Sequence, residues 1–323
     1  MINYFKLIII GLLQICACGA GLHTHPLGNV MINDQYYIDF LNKDNSNWVA
    51  GVNERFSNVT YDQARNLLGT YLYPNNVTEQ ITNDLYYTSK DIPIEFSVIE
   101  KWKGKIKPIR DQQHCGSCWA FSASEVLSDR FAISTNNENS PVLSPEDLVS
   151  CDKGDDGCKG GQLPTAWKYL TGTGIVTDKC FPYEAGNGKP PMCPKKCVDG
   201  TGWDPYKAKS SYAIRGVENI QQELMLNGPI QVAFMVYKSF MSYKSGVYKK
   251  KWYEFIPEGG HAVKLVGWGE ENGIKYWLVA NSWNTTWGLD GYFKILRGTD
   301  ECGIETSGPP YAGIPMLTNA YYE

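Results

Sequence analysis

The 323-residue chain predicts an α+β fold in two halves, a helical one followed by one built of strands. Two patterns carry that expectation. From Cys118 to Phe131, apolar residues at 119, 120, 123, 126, 127 and 131 recur at helical spacing, and 144–150 and 162–170 read as shorter helices. From about residue 230 the pattern becomes strand-like, in VAFMVY at 232–237, AVKLVGW at 262–268, YWLVAN at 276–281 and GYFKILR at 291–297. Glu271-Asn272-Gly273 and Leu289-Asp290-Gly291 supply turns between them, and Ser117 stands where the long helix needs an N-cap.

Composition narrows the function classes. Hydrophobic residues at 43% and charged residues at 20% are ordinary for a globular protein. A net charge of −4 without a basic run offers nothing to a nucleic acid. No apolar run reaches the roughly 18 residues that a membrane span needs. A monomer is expected.

The chain divides into three zones. Lys6 precedes an apolar run from Leu7 to Cys18, followed by small residues, so residues 1–20 read as a secretory signal peptide. Residues 21–91 hold no cysteine and carry four basic against eight acidic residues, the expected layout of a removable pro-segment. Residues 92–323 contain the eight cysteines that remain after Cys16 and Cys18, in an oxidising compartment. Asn58, Asn76 and Asn284 begin glycosylation acceptor patterns, the last in an aromatic stretch that hinders access.

Residues 110–121, RDQQHCGSCWAF, concentrate the chemistry. Cys115 and Cys118 could be a redox pair, half of a metal clip, or one nucleophile beside one structural cysteine. Cys118 would open the 118–131 helix, where unpaired N–H groups and the macrodipole favour a thiolate. Of four histidines, only His114 and His261 lie beyond the leader, and His114 shares the cysteine loop with its side chain toward solvent. His261, in GGHAVKLVGWG, opens a strand after two glycines. An imidazolium there would lower the thiol pKa further and later protonate a leaving amine. Asn281, ending YWLVAN, suits the adjacent strand and could orient that ring.

CGSCW resembles the signature around the nucleophile of papain-type cysteine proteases, which place the His and Asn about 130–150 residues downstream. Here His261 follows Cys118 by 143 residues and Asn281 by 163. The match narrows to the cathepsin B branch through SDR at 128–130, CKGG at 158–161, NGPI at 227–230, YKSGVY at 243–248, ANSWNTTWG and CGIE at 302–305. HPL at 25–27, NWVAGVN at 47–53 and LLGTYL at 67–72 resemble the pro-segment of that branch.

The resemblance implies a papain-like fold with a helical left half, a β-barrel-like right half and a cleft between them. It implies Cys118 as nucleophile, His261 as general acid and base, Asn281 as its orienting partner, and Gln112 with the Cys118 N–H as the oxyanion hole. Trp283 would shield the His–Asn bond. Gly160 and Gly161 would offer bare backbone to an extended polypeptide substrate. Leu163, Ala233 and Ala262 would wall the pocket for the second residue before the scissile bond. The implied disulfides are Cys115–Cys158, Cys151–Cys193 and Cys180–Cys197, with Cys302 unpaired. The pro-segment and cystatin-like proteins would be inhibitors. No metal or cofactor is expected, and the destination would be lysosome-like or vacuolar vesicles or the cell exterior.

Four departures bear on function. Gln113 stands where a glycine usually follows the oxyanion glutamine, so a positive φ there would be strained. Only 12 residues, FPYEAGNGKPPM, separate Cys180 from Cys193, without the histidines that make cathepsin B a dipeptidyl-carboxypeptidase; an open-cleft endopeptidase is expected instead. Ser307 falls near the acidic residue that accepts arginine in the second pocket, so an apolar preference is expected. An early disulfide is missing, both partners together, in KGKI after Trp102 and FAIS after Arg130. The alternatives are an exopeptidase, or a silent homologue that binds peptides without cutting them.

Overall fold

The computed structural model describes residues 29–43, 47–72 and 91–317. The signal segment, Asn76 and HPL at 25–27 lie outside them.

The long helix forms and runs Cys118–Ser134. Every residue from 118 through 132 is buried, so it is an interior helix rather than a surface one with a single apolar face. Its charged side chains are therefore buried with partners. Asp129 accepts from Lys264 at 2.8 Å, Glu125 lies 3.6 Å from the same ammonium, and Arg130 meets Glu223 at 2.6 Å. Removing one partner of such a pair typically costs about 3–5 kcal/mol. Through Lys264 these contacts tie the helical half to the strand half.

Ser117 takes the N-cap position, but its hydroxyl pairs with Tyr183 at 2.9 Å instead of with a helix N–H. The shorter helices, Pro145–Cys151 and Leu163–Gly172, pack beside the long one, the first capped by Ser144.

The strands are β1 Trp48–Ala50, β2 Phe96–Ser97, β3 Ala208–Ala213, β4 Ile230–Val236, β5 Tyr243–Tyr248, β6 Gly259–Glu271, β7 Ile274–Ala280, β8 Tyr292–Leu296 and β9 Tyr311–Pro315. They follow one path, β1-β5-β8-β7-β6-β4-β9-β3, with β2 added to β6. The path is open among the described residues, so the barrel-like half is a sheet with two edges. The sequence patterns missed β1, β2, β3, β5 and β9. β3 reads AKSSYA and β5 carries a glycine at positive φ, so their pairing comes from distant partners rather than from propensity.

The leader is built into this half. Its helix Gln35–Lys43 and β1 bury Ile38, Leu41 and Trp48 in the strand core, and β1 forms one edge of the sheet, antiparallel to β5. A second helix, Tyr61–Arg65, is closed by a Thr60/Gln63 capping box. Phe56, Tyr61 and Leu67 complete the burial. Three disulfides join Cys115–Cys158, Cys151–Cys193 and Cys180–Cys197, while Cys118 and Cys302 are free.

Candidate active site

Cys118 is the first residue of the central helix and is fully buried. His261 is the third residue of β6. Lys264 of β6 sits opposite Ala280 of β7, and that register carried three residues on sets 283 beside 261. Asn281 and Trp283 thus reach the imidazole because they continue the strand next to it.

His261 Nε2 and Asn281 Oδ1 are 2.7 Å apart. A carbonyl oxygen only accepts, so Nε2 donates and Nδ1 is left for the thiol. Nδ1 is buried and, among the described residues, lies outside hydrogen-bond geometry with any partner. Its charge still acts on Cys118. Burial raises the thiol pKa, but His261, the Ala262 N–H and the Thr70 hydroxyl together bring it down to about 7. The Trp283 ring lies 4.7 Å from the imidazole at 31°, and both are fully buried, so water does not reach the His–Asn bond.

Gln112 lies under the same loop, fully buried. Ser282 donates to its Oε1 at 2.8 Å, which aims the amide nitrogen. That nitrogen donates to the Cys115 carbonyl at 2.8 Å and to the Leu67 carbonyl of the leader at 2.9 Å. Gln113 has φ +53°, the left-handed region. Its N–H donates to Asp111 at 2.8 Å and its carbonyl accepts from Arg55 of the leader at 2.8 Å.

The leader crosses the cleft at residues 67–72. Gly161 N–H donates to the Gly69 carbonyl at 2.9 Å, and the Gly161 carbonyl accepts from Tyr71 N–H at 2.9 Å. The Thr70–Gly161 bridge is parallel. Thr70 N–H donates to Gly260 at 3.0 Å, and its hydroxyl lies 3.1 Å from the Cys118 sulfur. Gly69 passes so close to Gly116 that a Cβ would meet its carbonyl at 1.8 Å, which only glycine permits.

Leu163, Ala233 and Ala262 come together in one apolar cluster, and Leu72 of the leader packs against it. A Cβ on Gly260 would lie 3.0 Å from Leu72, and one on Gly308 3.8 Å. No carboxylate is supplied by 302–308: Glu305 accepts from Trp277, Gly298 and Asp300, and Ser307 folds onto Gly303.

The short segment 181–192 is held back against the helical half. Glu146 accepts from the N–H groups of Glu184 and Ala185, and Tyr183 donates to the Gln112 carbonyl at 2.8 Å. A cleft of about 720 Å³ separates the leader at Gln63, Arg65, Asn66 and Leu68 from His114, Lys159 and Asn187. His114 is exposed, as its loop position predicts. Asn58 is exposed, while Asn284 is half-buried and bonded to Asp111 at 3.4 Å. Sequence reasoning missed Ser282, Tyr183 and Thr70. Ser282 was signalled by its place in NSW; the other two have no local signature.

Residues 92–309 match the papain family cysteine protease family. The chain belongs to that family. Papain-family relatives include the cathepsin B-like CP2 of Giardia intestinalis, 39% identical over 84% of this chain and 90% of the relative. Another is cathepsin B-like cysteine proteinase 6 of Caenorhabditis elegans, 41% identical over 87% of this chain and 83% of the relative. The solved structure of procathepsin B S9 from Trypanosoma congolense superposes with a TM-score of 0.79 at 34% identity, over 89% of this chain and 99% of that one. Procathepsin L2 from Tenebrio molitor gives 0.72 at 26% identity over 98% of both. The chain is a cathepsin B-like cysteine protease, and no described helix is long and apolar enough to cross a membrane.

Proposed function

We propose that Cys118, His261, Asn281 and Gln112 form the catalytic group of an open-cleft endopeptidase, and that residues 21–91 are its inhibitory pro-segment. The observation that carries this reading is the double occupation of the cleft. The Leu67 carbonyl takes the Gln112 amide and Thr70 takes the Cys118 thiol, so the leader covers both groups that a substrate would use.

In the reaction, the Cys118 thiolate attacks the scissile carbonyl and a C–S bond forms. The negative charge moves to the carbonyl oxygen, which the Gln112 amide and the Cys118 N–H receive. His261 gives its proton to the leaving amine as the C–N bond breaks. It then takes a proton from water, which attacks the thioester and frees Cys118. Asn281 keeps Nδ1 aimed at the sulfur throughout, and Gly160 and Gly161 hold the extended chain.

The open cleft follows from the 181–192 segment, tied to Glu146 and Gln112 and free of histidine. An acidic compartment would free the enzyme. Arg55 pairs with Asp111 at 3.3 Å and Arg65 with Glu258, so two ion pairs hold the leader on the enzyme until it is released. Secretory synthesis, followed by acidic vesicles or release, fits this trigger.

The test uses processed enzyme at about pH 5.5, near the acid working range expected here. It compares one internally quenched peptide with an amidated and with a free C-terminus, beside Cys118→Ala. Equal mid-chain cleavage of both, abolished by the substitution, is expected. Cleavage of the free-carboxylate form alone would favour the dipeptidyl-carboxypeptidase reading.

A further inference from the structure

Asp152 and Asp155 lie on the loop between Cys151 and the Gly160–Gly161 pair, outside the catalytic group. Each has one oxygen in a backbone bond: Asp152 Oδ1 accepts from Gly154 N–H at 2.8 Å, and Asp155 Oδ1 from Gln162 N–H at 2.9 Å. Each has the other oxygen, Oδ2, buried with no donor, and Asp152 is only 7% exposed. The two carboxyl groups lie within hydrogen-bonding reach of each other. Ionised carboxylates only accept, so a single proton between them is what satisfies both.

Among the described residues the surroundings offer no other donor. Lys153, on the same loop, sends its ammonium to the Ser150 carbonyl at 3.0 Å. Asp156 accepts from the Tyr71 hydroxyl of the leader at 3.2 Å. Asp147 of the 145–151 helix and Tyr169 of the 163–172 helix bond to each other at 2.9 Å. None of these reaches either Oδ2 atom.

We propose that Asp152 and Asp155 share one proton, and that the protonated pair is a positioning device for the substrate-binding backbone of Gly161. The link is one peptide group. The Gln162 N–H that Asp155 holds and the Gly161 carbonyl that accepts from Tyr71 belong to the same planar unit. Asp155 therefore fixes the direction of that carbonyl and polarises it as an acceptor. Only glycine fits at 161, because a Cβ there would lie 2.8 Å from Asp155 Cγ and 2.5 Å from the Trp119 ring, so the backbone passes close beside the pair.

The device has a pH range. Burial first, and the Asp152 charge next, raise the Asp155 carboxyl to about 7, and the two groups titrate as a pair. The native pair binds its proton more tightly than the unfolded chain does. Its stabilising effect is therefore complete at acid pH and lost as pH rises through about 7. Above that range two facing carboxylates repel, Asp155 swings away, and the 161–162 peptide turns with it. The inference rests on the reading of Gly161 as substrate-binding backbone.

The experiment measures kcat and KM separately for processed enzyme on an extended peptide, from about pH 5.5 to about pH 8, across the pair's titration. Wild type is expected to show KM rising about fivefold or more across that range, independently of any change in kcat. Asp155→Asn, whose amide donates permanently in place of the shared proton, is expected to keep the low KM of acid pH throughout. A wild-type KM that stays flat while kcat is normal overturns the pair and leaves the catalytic reading standing. So does an Asp155→Asn enzyme that retains the wild-type KM profile. Should that variant not fold, infrared difference spectra of the wild type supply the second readout. Loss, between the two pH values, of a protonated-carboxyl band that is missing from the spectra of Asp152→Asn supports the pair, and identical bands in the two proteins overturn it.

Discussion

The side-chain amide of Gln112 donates to the carbonyl oxygen of Leu67 at 2.9 Å, so the leader's own peptide carbonyl sits on the donor proposed to receive an oxyanion. The amide is already aimed: Ser282 holds its oxygen and the Cys115 carbonyl its second hydrogen. Such preorganised donors act mainly in the transition state. In processed enzyme, Gln112→Ala is expected to lower kcat by about 10²–10³ with KM far less affected. Steady-state kinetics on a peptide amide check this, and a loss confined to KM would assign Gln112 to ground-state binding.

Gln113 carries a cost that its sequence position announced. At φ +53° a side chain is strained by roughly 1–2 kcal/mol. Gln113→Gly is expected to raise Tm by a few degrees and leave kcat unchanged. Its side chain also rests on Gly186, where a Cβ would come within 2.2 Å of the Gln113 Oε1. Gly186→Ala should therefore destabilise the wild type more than it does the Gln113→Gly background. Thermal unfolding of the four proteins measures that coupling.

Arg55 joins the leader to the 111–113 loop through the Gln113 carbonyl and Asp111, with its side chain only 9% exposed. Hydrogen bonds to charged groups are worth about 1.5–3 kcal/mol. Arg55→Ala in the full chain is therefore expected to weaken leader docking by about tenfold or more. Hydrolysis of a small peptide by the unprocessed variant should exceed that of the unprocessed wild type. Equal hydrolysis would place the inhibitory hold elsewhere.

Leu72 packs against the apolar cluster that holds Leu163, Ala233 and Ala262, the walls proposed for the second pocket, and Glu305 is consumed by three backbone and indole donors. A peptide library is expected to favour leucine and similar side chains at the second position before the cut. Arginine there would leave a guanidinium without a carboxylate, so a clear arginine preference would contradict the assignment.

Much of this was legible in the sequence because the chemistry is local. CGSCW sits at a helix start, and HAVKLVGWG and YWLVANSW carry the strand alternation that brings His261 beside Asn281. The apolar period from 119 to 131 gave the central helix, though not that charged residues would be buried with it; Lys264 pairs with Asp129 across 135 residues. Thr70 and Tyr183 were invisible for the same reason, since each acts through a partner far along the chain. Strands β3 and β5 were missed because distant pairing, not their own composition, makes them strands.

His261 is expected to make the Cys118 thiol reactive, and alkylation tests this. The pH dependence of iodoacetamide labelling would be followed by peptide mass spectrometry in processed wild type and in His261→Ala. Labelling at Cys118 is expected with a midpoint well below the ordinary thiol range, displaced upward in His261→Ala. Cys302 should stay unlabelled, since burial and Glu301 hold its pKa well above normal. The same midpoint in both proteins, or labelling at Cys302 in place of Cys118, would contradict it.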